Sequence, residues 1–267
     1  ILFPDGANAD SPFSDVRVRQ ALSHAIDRQT LADSLGYGYY YPTYQLLGEW
    51  SELAYNPNIE GQPYDPAKAR ALLAEAGYPN GFKTSIIVGT AAGKDLPLAI
   101  QDMLADIGIQ AVGKGIERSL FEEHKAANML EICCQIGGHN AVEWERGSSW
   151  LARMWWQGGY YRWSQDPTDP NAIEPPEDHW VRTLWRVWDE GNEEPDAAKR
   201  NEMFRGITQV WADEVPAVGI IGETPCMVAV KNGIRNFLDG YPFVDAAADE
   251  SLLGSCVLFW EEPEKHV

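Results

Sequence analysis

The stretch Ser11–Asp27, SPFSDVRVRQALSHAID, carries the pattern that decides the fold. Ser14 is in a position to cap a helix, and Asp15 follows it in the first turn, where a carboxylate suits the helix dipole. Apolar residues then recur at i, i+4, i+7 and i+8, which predicts one buried stripe on a helix: Val18, Leu22, Ala25 and Ile26. His24 lies off that stripe, so we expect an ordinary surface histidine.

Two further helices follow from cap signals. Asp27 is placed to cap a helix over Arg28–Leu35, which Gly36 would end. Asp65 precedes Pro66, a residue favoured at the first helical position, and Gly77 suits the C′ position of the same helix. Its predicted buried face is made of Ala69, Leu72, Leu73 and Ala76.

Strand and helix patterns alternate in the next part of the chain. Short β-branched or apolar runs predict strands at Thr84–Val88, Ile109–Ile116 and Met129–Ile136, the last of them central and largely buried. Helical periodicity over Leu96–Ile107, and a helix that Ser119 would cap, lie between these strands. The alternation predicts an α/β fold with a parallel or mixed sheet.

Two helices and two short strands are predicted further along. Apolar stripes indicate helices from about Glu177 and over Asp196–Ala212, with their tryptophans in the core, and strands are expected at Ala217–Ile221 and Met227–Lys231. Residues 232–236 read as a turn, and Cys256–Trp260 reads as a strand without a partner. The Pro-broken segment Asp166–Pro176 reads as a surface connector, with calcium binding as the minor alternative.

Composition excludes several classes of protein. The 267 residues carry a formal charge of −19, which argues against binding to nucleic acid or to anionic membranes. No apolar run reaches the roughly 18 residues that a membrane span needs. The four cysteines have no metal-ligand spacing. A Cys226–Cys256 disulfide is the alternative to simple core packing.

The string Phe13–Arg28, FSDVRVRQALSHAIDR, resembles the start of the C-terminal lobe of the family 5 extracytoplasmic solute-binding proteins. These are the dipeptide- and oligopeptide-type receptors of ABC importers. A second block agrees in order and distance: Tyr55-Asn56-Pro57, then Tyr64-Asp65-Pro66 through Gly81-Phe82. The resemblance is strong over about residues 11–111 and weaker over about 198–240.

The resemblance implies a periplasmic-binding-protein-like lobe, a mixed sheet flanked by helices. Residues 1–240 would form the C-terminal ligand-binding lobe, and residues 241–267 a tail that returns toward an N-terminal lobe. The chain would then be part of a longer protein whose precursor has a signal peptide. It would be a periplasmic or extracytoplasmic monomer that binds an oligopeptide or oligosaccharide between its lobes and docks on an ABC permease.

Candidate ligand residues come from two segments. In the resembled family, the loop that corresponds to the aromatic segment after residue 36 approaches the cleft, which makes Tyr44 and Gln45 candidate ligand residues. For Tyr39–Tyr41, packing is favoured instead. In open α/β sheets, ligands bind beyond the carboxyl ends of strands, and the segment 137–145 follows the predicted central strand. It supplies four further candidates: His139, Asn140, Glu143 and Trp144.

The ligand class remains open at this point. In the peptide-binding members of the family, the turn after this strand resembles Trp-x-x-Asp-Tyr, and its Asp pairs with the α-ammonium of the peptide. Ile136–Trp144 lacks that Asp, and its Asn, His, Glu and Trp would suit hydroxyl groups and the face of a sugar ring. An oligosaccharide is therefore favoured slightly over a peptide, whose ammonium would have to pair with Glu143 or Glu145 instead.

Other functions are weaker alternatives. The chain has no G-x-S-x-G, P-loop, H-E-x-x-H or dinucleotide fingerprint, so we expect no enzyme, no cofactor and no metal. Glu143 and Glu145 are one candidate carboxylate pair for a glycoside-processing enzyme, although two carboxylates in a loop are usually solvated. A sensory or partner-binding module on the same fold remains a third reading.

Overall fold

The computed structural model describes residues 1–45, 55–89, 95–134, 152–153, 155–222, 234–235 and 259–260. The helices are α1 (Val16–His24), α2 (Arg28–Gly36), α3 (Pro66–Glu75), α4 (Asp95–Ala105), α5 (Arg118–Ala126), α6 (Gly159–Gln165), α7 (Trp180–Glu193) and α8 (Ala197–Glu214). The strands are β1 (Leu2–Pro4), β2 (Tyr41–Pro42), β3 (Lys83–Val88), β4 (Gln110–Gly115), β5 (Ile132–Cys134), β6 (Ile221–Gly222), β7 (Ile234–Arg235) and β8 (Phe259–Trp260).

A four-stranded mixed sheet, in the order β1-β5-β3-β4, forms the centre of the fold. β3 runs parallel to β4 and to β5, whereas β1 is antiparallel to β5. β5 therefore lies inside the sheet, as its continuous apolar sequence predicts. The predicted α/β class, with a mixed sheet flanked by helices, is confirmed.

The two faces of the sheet bury two separate cores, because successive side chains of a strand point to opposite faces. Ile86, Val88, Ile132 and Cys134 pack with α1–α4. Phe3, Ile87 and Cys133 pack with α5, α7 and α8 on the other face. The predicted stripes of α3, α7 and α8 point into these cores, and Ala69, Leu73, Leu184 and Phe204 are almost fully buried.

Aspartates cap the helices where the sequence places them directly before the helix. The Asp27 carboxylate accepts the N–H of Thr30, and that of Asp65 accepts the N–H of Lys68. Two other predicted caps are wrong. Asp15, not Ser14, caps α1, because Ser14 belongs to the preceding 3-10 turn Pro12–Ser14. Glu117, not Ser119, caps α5.

The predicted environment of His24 is also wrong. This side chain is almost fully buried, and its Nδ1 lies 2.7 Å from the Pro63 carbonyl oxygen. The last turn of α1 does not present this side chain to solvent, because α3 and the segment that leads into it pack against α1. Burial lowers the pKa of His24 from its ordinary value.

The tyrosines after α2 are more exposed than predicted. Tyr39 is 72% and Tyr41 44% exposed, although packing was expected for both. The chain leaves α2 through Tyr37 in the left-handed conformation (φ 50°) and then forms the short β2–β6 ribbon instead of entering a core.

The C-terminal strands differ from the prediction in two places. Ile234–Arg235, expected in a turn, pair with Phe259–Trp260, so the predicted orphan strand has a partner. The expected strand Ala217–Ile221 is reduced to one isolated bridge between Val218 and Leu2, followed by β6. Met227–Lys231 and the Cys226–Cys256 pair lie outside the described residues.

We expect Gly81→Ala to destabilise the fold by more than about 3 kcal/mol. Gly81 has φ +68°, and a Cβ there would overlap the main chain of Gly108. Gly77 is the matched control, because it also has positive φ (+94°) but open space around it. Gly77→Ala should cost only about 1–2 kcal/mol. Urea unfolding measures both, and equal losses would contradict the overlap.

We also expect stability to fall between pH 6.5 and 4 because of His179. Its Nδ1 accepts the N–H of Val181 and so caps α7, which requires the unprotonated ring. Burial, assisted by the nearby Arg19, lowers the pKa of His179 from 6.5 to about 4. Because the unfolded chain takes up this proton first, acidification across this window favours unfolding.

Replacing His179 by Asn keeps a capping oxygen and removes the titrating group. Thermal unfolding of H179N across this pH range should therefore show a shallower loss of stability than the parent chain. His124→Asn, in the last turn of α5, is the control for loss of a histidine. An unchanged slope in H179N would contradict this role.

Candidate functional site

A small cleft of about 20 Å³, with room for roughly one water molecule or one polar group of a ligand, lies between the ends of α1 and α8 and the segments around residues 44, 61 and 217. Ile1 contributes to its wall, and the neighbouring Leu2 pairs with Cys134, the last residue of β5. Val88, the last residue of β3, pairs with the same Cys134. The cleft is thus at the carboxyl end of two parallel strands, where open α/β sheets bind ligands.

Arg28, in the first turn of α2, lies buried behind this cleft. Its Nε donates to the carbonyl oxygens of Gly219 (2.8 Å) and Thr43 (3.2 Å), and Nη1 donates to those of Ser23 (3.0 Å) and Gln62 (3.2 Å). Burial lowers the pKa of Arg28 to about 10, so the guanidinium remains charged at neutral pH. One cation thereby joins four separate segments of the chain.

A chain of hydrogen bonds runs from Arg28 across the base of the cleft. Arg28 Nη2 donates to the Ser23 hydroxyl (2.7 Å), which donates to Gln62 Oε1 (3.1 Å). Gln62 Nε2 then donates to the Ala212 carbonyl oxygen (3.1 Å). Each donor points the same way along this chain, an arrangement in which the bonds polarise one another. It fixes the ends of α1 and α8 relative to each other.

Tyr44 forms one wall of the cleft. The Arg28 guanidinium lies 4.5 Å from the centre of its ring, within the range of a cation–π contact. The ring also approaches Gly61 so closely that a Cβ there would overlap it. The residue is still 39% exposed, so the ring is held in place and accessible at once.

Gln45, the second predicted ligand residue of this loop, lines the same cleft, but its amide is engaged by the main chain. Its Nε2 donates to the Asn56 carbonyl oxygen (2.9 Å), and its Oε1 accepts the Asn56 N–H (3.1 Å). This two-point contact joins residues 45 and 56 directly. Gln45 therefore shapes the cleft wall in addition to facing it.

The other four predicted site residues, His139, Asn140, Glu143 and Trp144, lie outside the described residues. Their segment follows Cys134, which is at the cleft end of the sheet. That these four residues face the ligand stays a prediction.

Sequence reasoning missed the polar groups that build the cleft: Ser23, Arg28 and Gln62. One signal was available for Arg28. A cation in the first turn opposes the helix dipole, so it needs another reason to be there. No comparable local signal marked Gln62, whose partner Ala212 is 150 residues away.

Most tryptophans of the described segments pack in the core. The rings of Trp156 and Trp211 meet edge to face at 5.0 Å, and Trp163 stacks on Trp185 at 6.2 Å. Trp211 also borders the cleft. The core role predicted for Trp185 and Trp211 is confirmed.

A second buried arginine holds α8 against α1. Arg19 Nε donates to the Glu214 carbonyl oxygen (2.8 Å), Nη1 donates to the Phe13 and Ser14 carbonyl oxygens, and Nη2 pairs with the Glu214 carboxylate at 3.2 Å. Burial lowers the pKa of Arg19 to about 10 despite the nearby carboxylate. Arg19 and Arg28 therefore bracket residues 214–219, the segment that closes the cleft.

No cluster of three or more His, Cys, Asp or Glu side chains that could hold a metal occurs among the described residues. In the suspected calcium segment, the Asp166 and Asp169 carboxylates accept the N–H groups of Thr168 and Asn171. Within the described ranges, no helix combines the length and apolarity that crossing a membrane requires.

We expect Arg28→Met to destabilise the protein by more than about 3 kcal/mol, since it leaves several buried carbonyl oxygens without a donor. Arg28→Lys should recover only part of this loss, because an ammonium has three donors and lacks the planar fork. Arg186→Met is the control, because it removes only an exposed i,i+4 pair with Glu190 and should change stability by less than about 0.5 kcal/mol. Urea unfolding compares the three variants, and similar losses for R28M and R186M would contradict the anchoring role.

Comparisons with known proteins agree with this architecture. Residues 6–172 match the sequence profile of the bacterial extracellular solute-binding proteins, family 5 Middle. The glutathione-binding protein GsiB of Salmonella choleraesuis (strain SC-B67) is 43% identical over 103 residues, which are 38% of this chain and 20% of GsiB. Heme-binding protein A of Haemophilus influenzae (strain Rd) is 46% identical over 76 residues, or 28% of this chain and 13% of that protein.

A solved structure extends the likeness beyond the profile. The dipeptide-binding protein of Pseudoalteromonas sp. SM9913, in complex with Met-Leu, superposes with a TM-score of 0.69 at 18% identity and covers 91% of this chain. The match takes up 46% of that structure, so the chain spans about half of its length. The profile match covers more than half of the 267 residues. The chain belongs to the bacterial extracellular solute-binding proteins, family 5.

Proposed function

We propose that the chain is the distal lobe of the substrate-binding component of an ABC importer. Residues 1–240 would form the ligand-binding lobe and residues 241–267 the tail toward an N-terminal lobe. Ligand would bind between the lobes, hinge closure would bury it, and the closed receptor would dock on a permease. The protein would act outside the cytoplasm, as the description of the family indicates.

The observation that carries this proposal is the cleft at the carboxyl end of β3 and β5. It combines a fixed aromatic face with amide and hydroxyl groups, the usual composition of a small-molecule site. Tyr44 is 39% exposed, so a ligand can reach its ring from solvent. The six proposed ligand residues are Tyr44, Gln45, His139, Asn140, Glu143 and Trp144.

A short peptide is the ligand class that the comparisons favour. Glutathione, named for GsiB, is a peptide, and the Pseudoalteromonas protein holds Met-Leu. The initial preference for an oligosaccharide has less support, because the proteins cited above are named for peptides and heme, and none of them for a sugar. The Asp that is missing from Ile136–Trp144 still affects how a peptide would bind, because its absence removes the expected partner of the free α-ammonium.

The experiment measures thermal stability of the longer receptor that would contain this chain, against glutathione, di- and tetrapeptides, and cello-oligosaccharides. Ligand at about 100 times its Kd should add roughly 2.7 kcal/mol of stability. We expect a response to peptides. N-acetylation of a responding peptide should change its affinity less than about threefold, because the Asp that pairs with a free ammonium is missing from Ile136–Trp144. A larger loss of affinity would make Glu143 the partner of the ammonium. A response to sugars alone would overturn the peptide class, and silence on all panels would overturn transport of either.

A Tyr44→Ala variant should bind the responding ligand with about tenfold lower affinity, because the cleft loses its aromatic face. Tyr39→Ala is the matched control, since Tyr39 is exposed and does not line the cleft. Equal affinities of Y44A and the parent receptor would remove Tyr44 from the site.

A further inference from the structure

We propose that the cleft beside Tyr44 selects a ligand group that accepts hydrogen bonds and carries no positive charge. This inference rests on the proposed function for the statement that a ligand enters the cleft. It adds which chemical group the cleft takes: a carbonyl, amide or hydroxyl group, and not an ammonium or guanidinium.

The first argument is the charge of the lining. Among the described residues, every side chain that lines the cleft is neutral, and the polar ones are amides, hydroxyls and the Tyr44 phenol. An ammonium that left water for this cleft would find no carboxylate among them. Desolvation of an unpaired ion is far more costly than that of a neutral polar group, so a neutral group is favoured.

The second argument is the hydrogen-bonding capacity that remains. The side-chain oxygens of Gln45 and Gln62 already accept a hydrogen bond, from the Asn56 N–H and the Ser23 hydroxyl. Each amide has two N–H groups. Within the described ranges one of them is used, toward the Asn56 and Ala212 carbonyl oxygens. The second N–H of each amide can serve a ligand that accepts.

The Thr208 hydroxyl donates to the Arg205 carbonyl oxygen of its own helix, so it offers a lone pair to the cleft. One neutral hydroxyl does not compensate for the lost hydration of an ammonium, which is a donor only. It can instead accept from a ligand amide or hydroxyl group that also has an acceptor atom.

The third argument is the field of Arg28. Its guanidinium is buried and lies 4.5 Å behind the Tyr44 ring. Within the described part of the chain, its hydrogen bonds go to carbonyl oxygens and the Ser23 hydroxyl, and none of these groups carries a negative charge. In a partly buried site such a charge acts with little screening, and it repels a second cation and attracts the negative end of a carbonyl dipole.

Two small probes with the same isopropyl group test the inference on the 267-residue chain. Isobutyramide is neutral and has an acceptor oxygen, whereas isobutylammonium has only donors and a positive charge. Side-chain amide resonances of Gln45 and Gln62 are followed by ¹⁵N NMR during titration at constant ionic strength. We expect saturable shifts with isobutyramide and at least about tenfold weaker binding of isobutylammonium. Equal binding of the two probes, or no shift with isobutyramide, would overturn the inference.

A carboxylate placed in the cleft should remove the preference. Gln62→Glu and Ala212→Asp each introduce a carboxylate. A212D serves as the second variant if Q62E folds poorly, because it leaves the hydrogen-bonded side chains of Arg28, Ser23 and Gln62 unchanged. Gln110→Glu, exposed at the start of β4, adds the same charge elsewhere and should leave the preference unchanged. The same preference in Q62E and A212D as in Q110E would contradict a local origin.

This result is independent of the ligand panel on the longer receptor. Probe selectivity without any peptide or sugar response would contradict the proposed function and leave the chemistry of the cleft standing. A peptide response without probe selectivity would support the proposed function and overturn the inference about the cleft.

Discussion

Two buried guanidinium groups hold together parts of the chain that are far apart in sequence, and the cleft depends on both. Arg19 binds the Glu214 carbonyl oxygen, and Arg28 binds that of Gly219, each about 190 residues further along the chain. Burying a cation is costly, which is why the pKa of each falls to about 10. The cost is offset because each planar fork supplies several donors at fixed angles to oxygens that would otherwise be buried without a partner. The segment between these two anchor points, residues 214–219, becomes one side of the cleft.

Local patterns predicted those elements whose stability is decided within the element. Helical period and Asp caps located α2 and α3, because caps and apolar stripes act within one turn of the helix that they define. A continuous apolar run located the buried strand β5. The same reasoning failed for α1, where His24 and Ser23 look solvent-facing by period. Their burial comes from Pro63 and Gln62, 39 residues away. A helical period identifies the most apolar side of a helix, and it does not reveal that the opposite side is covered as well.

The candidate site was predictable only where the family resemblance reached it. That resemblance directed attention to Tyr44 and Gln45, which do line the cleft. It did not indicate that Gln45 binds the main chain at Asn56, since a pattern of residue types cannot distinguish an amide that reads a ligand from one that shapes a wall. Ser23, Arg28 and Gln62 come from three separate segments, and only the fold makes them one hydrogen-bonded chain.

The overall charge and the local charge of the cleft have opposite signs, and the local one should govern the ligand. The formal charge of −19 belongs mostly to exposed carboxylates, whose fields are reduced by water and salt within about 10 Å. Arg28 is buried, so the medium between its guanidinium and the cleft screens it much less. A strongly acidic protein can therefore present a cleft that repels cations. Net charge bears on solubility and on the approach of large partners. The group that a ligand places beside Tyr44 is instead expected to depend on the nearby dipoles and on the buried Arg28 guanidinium.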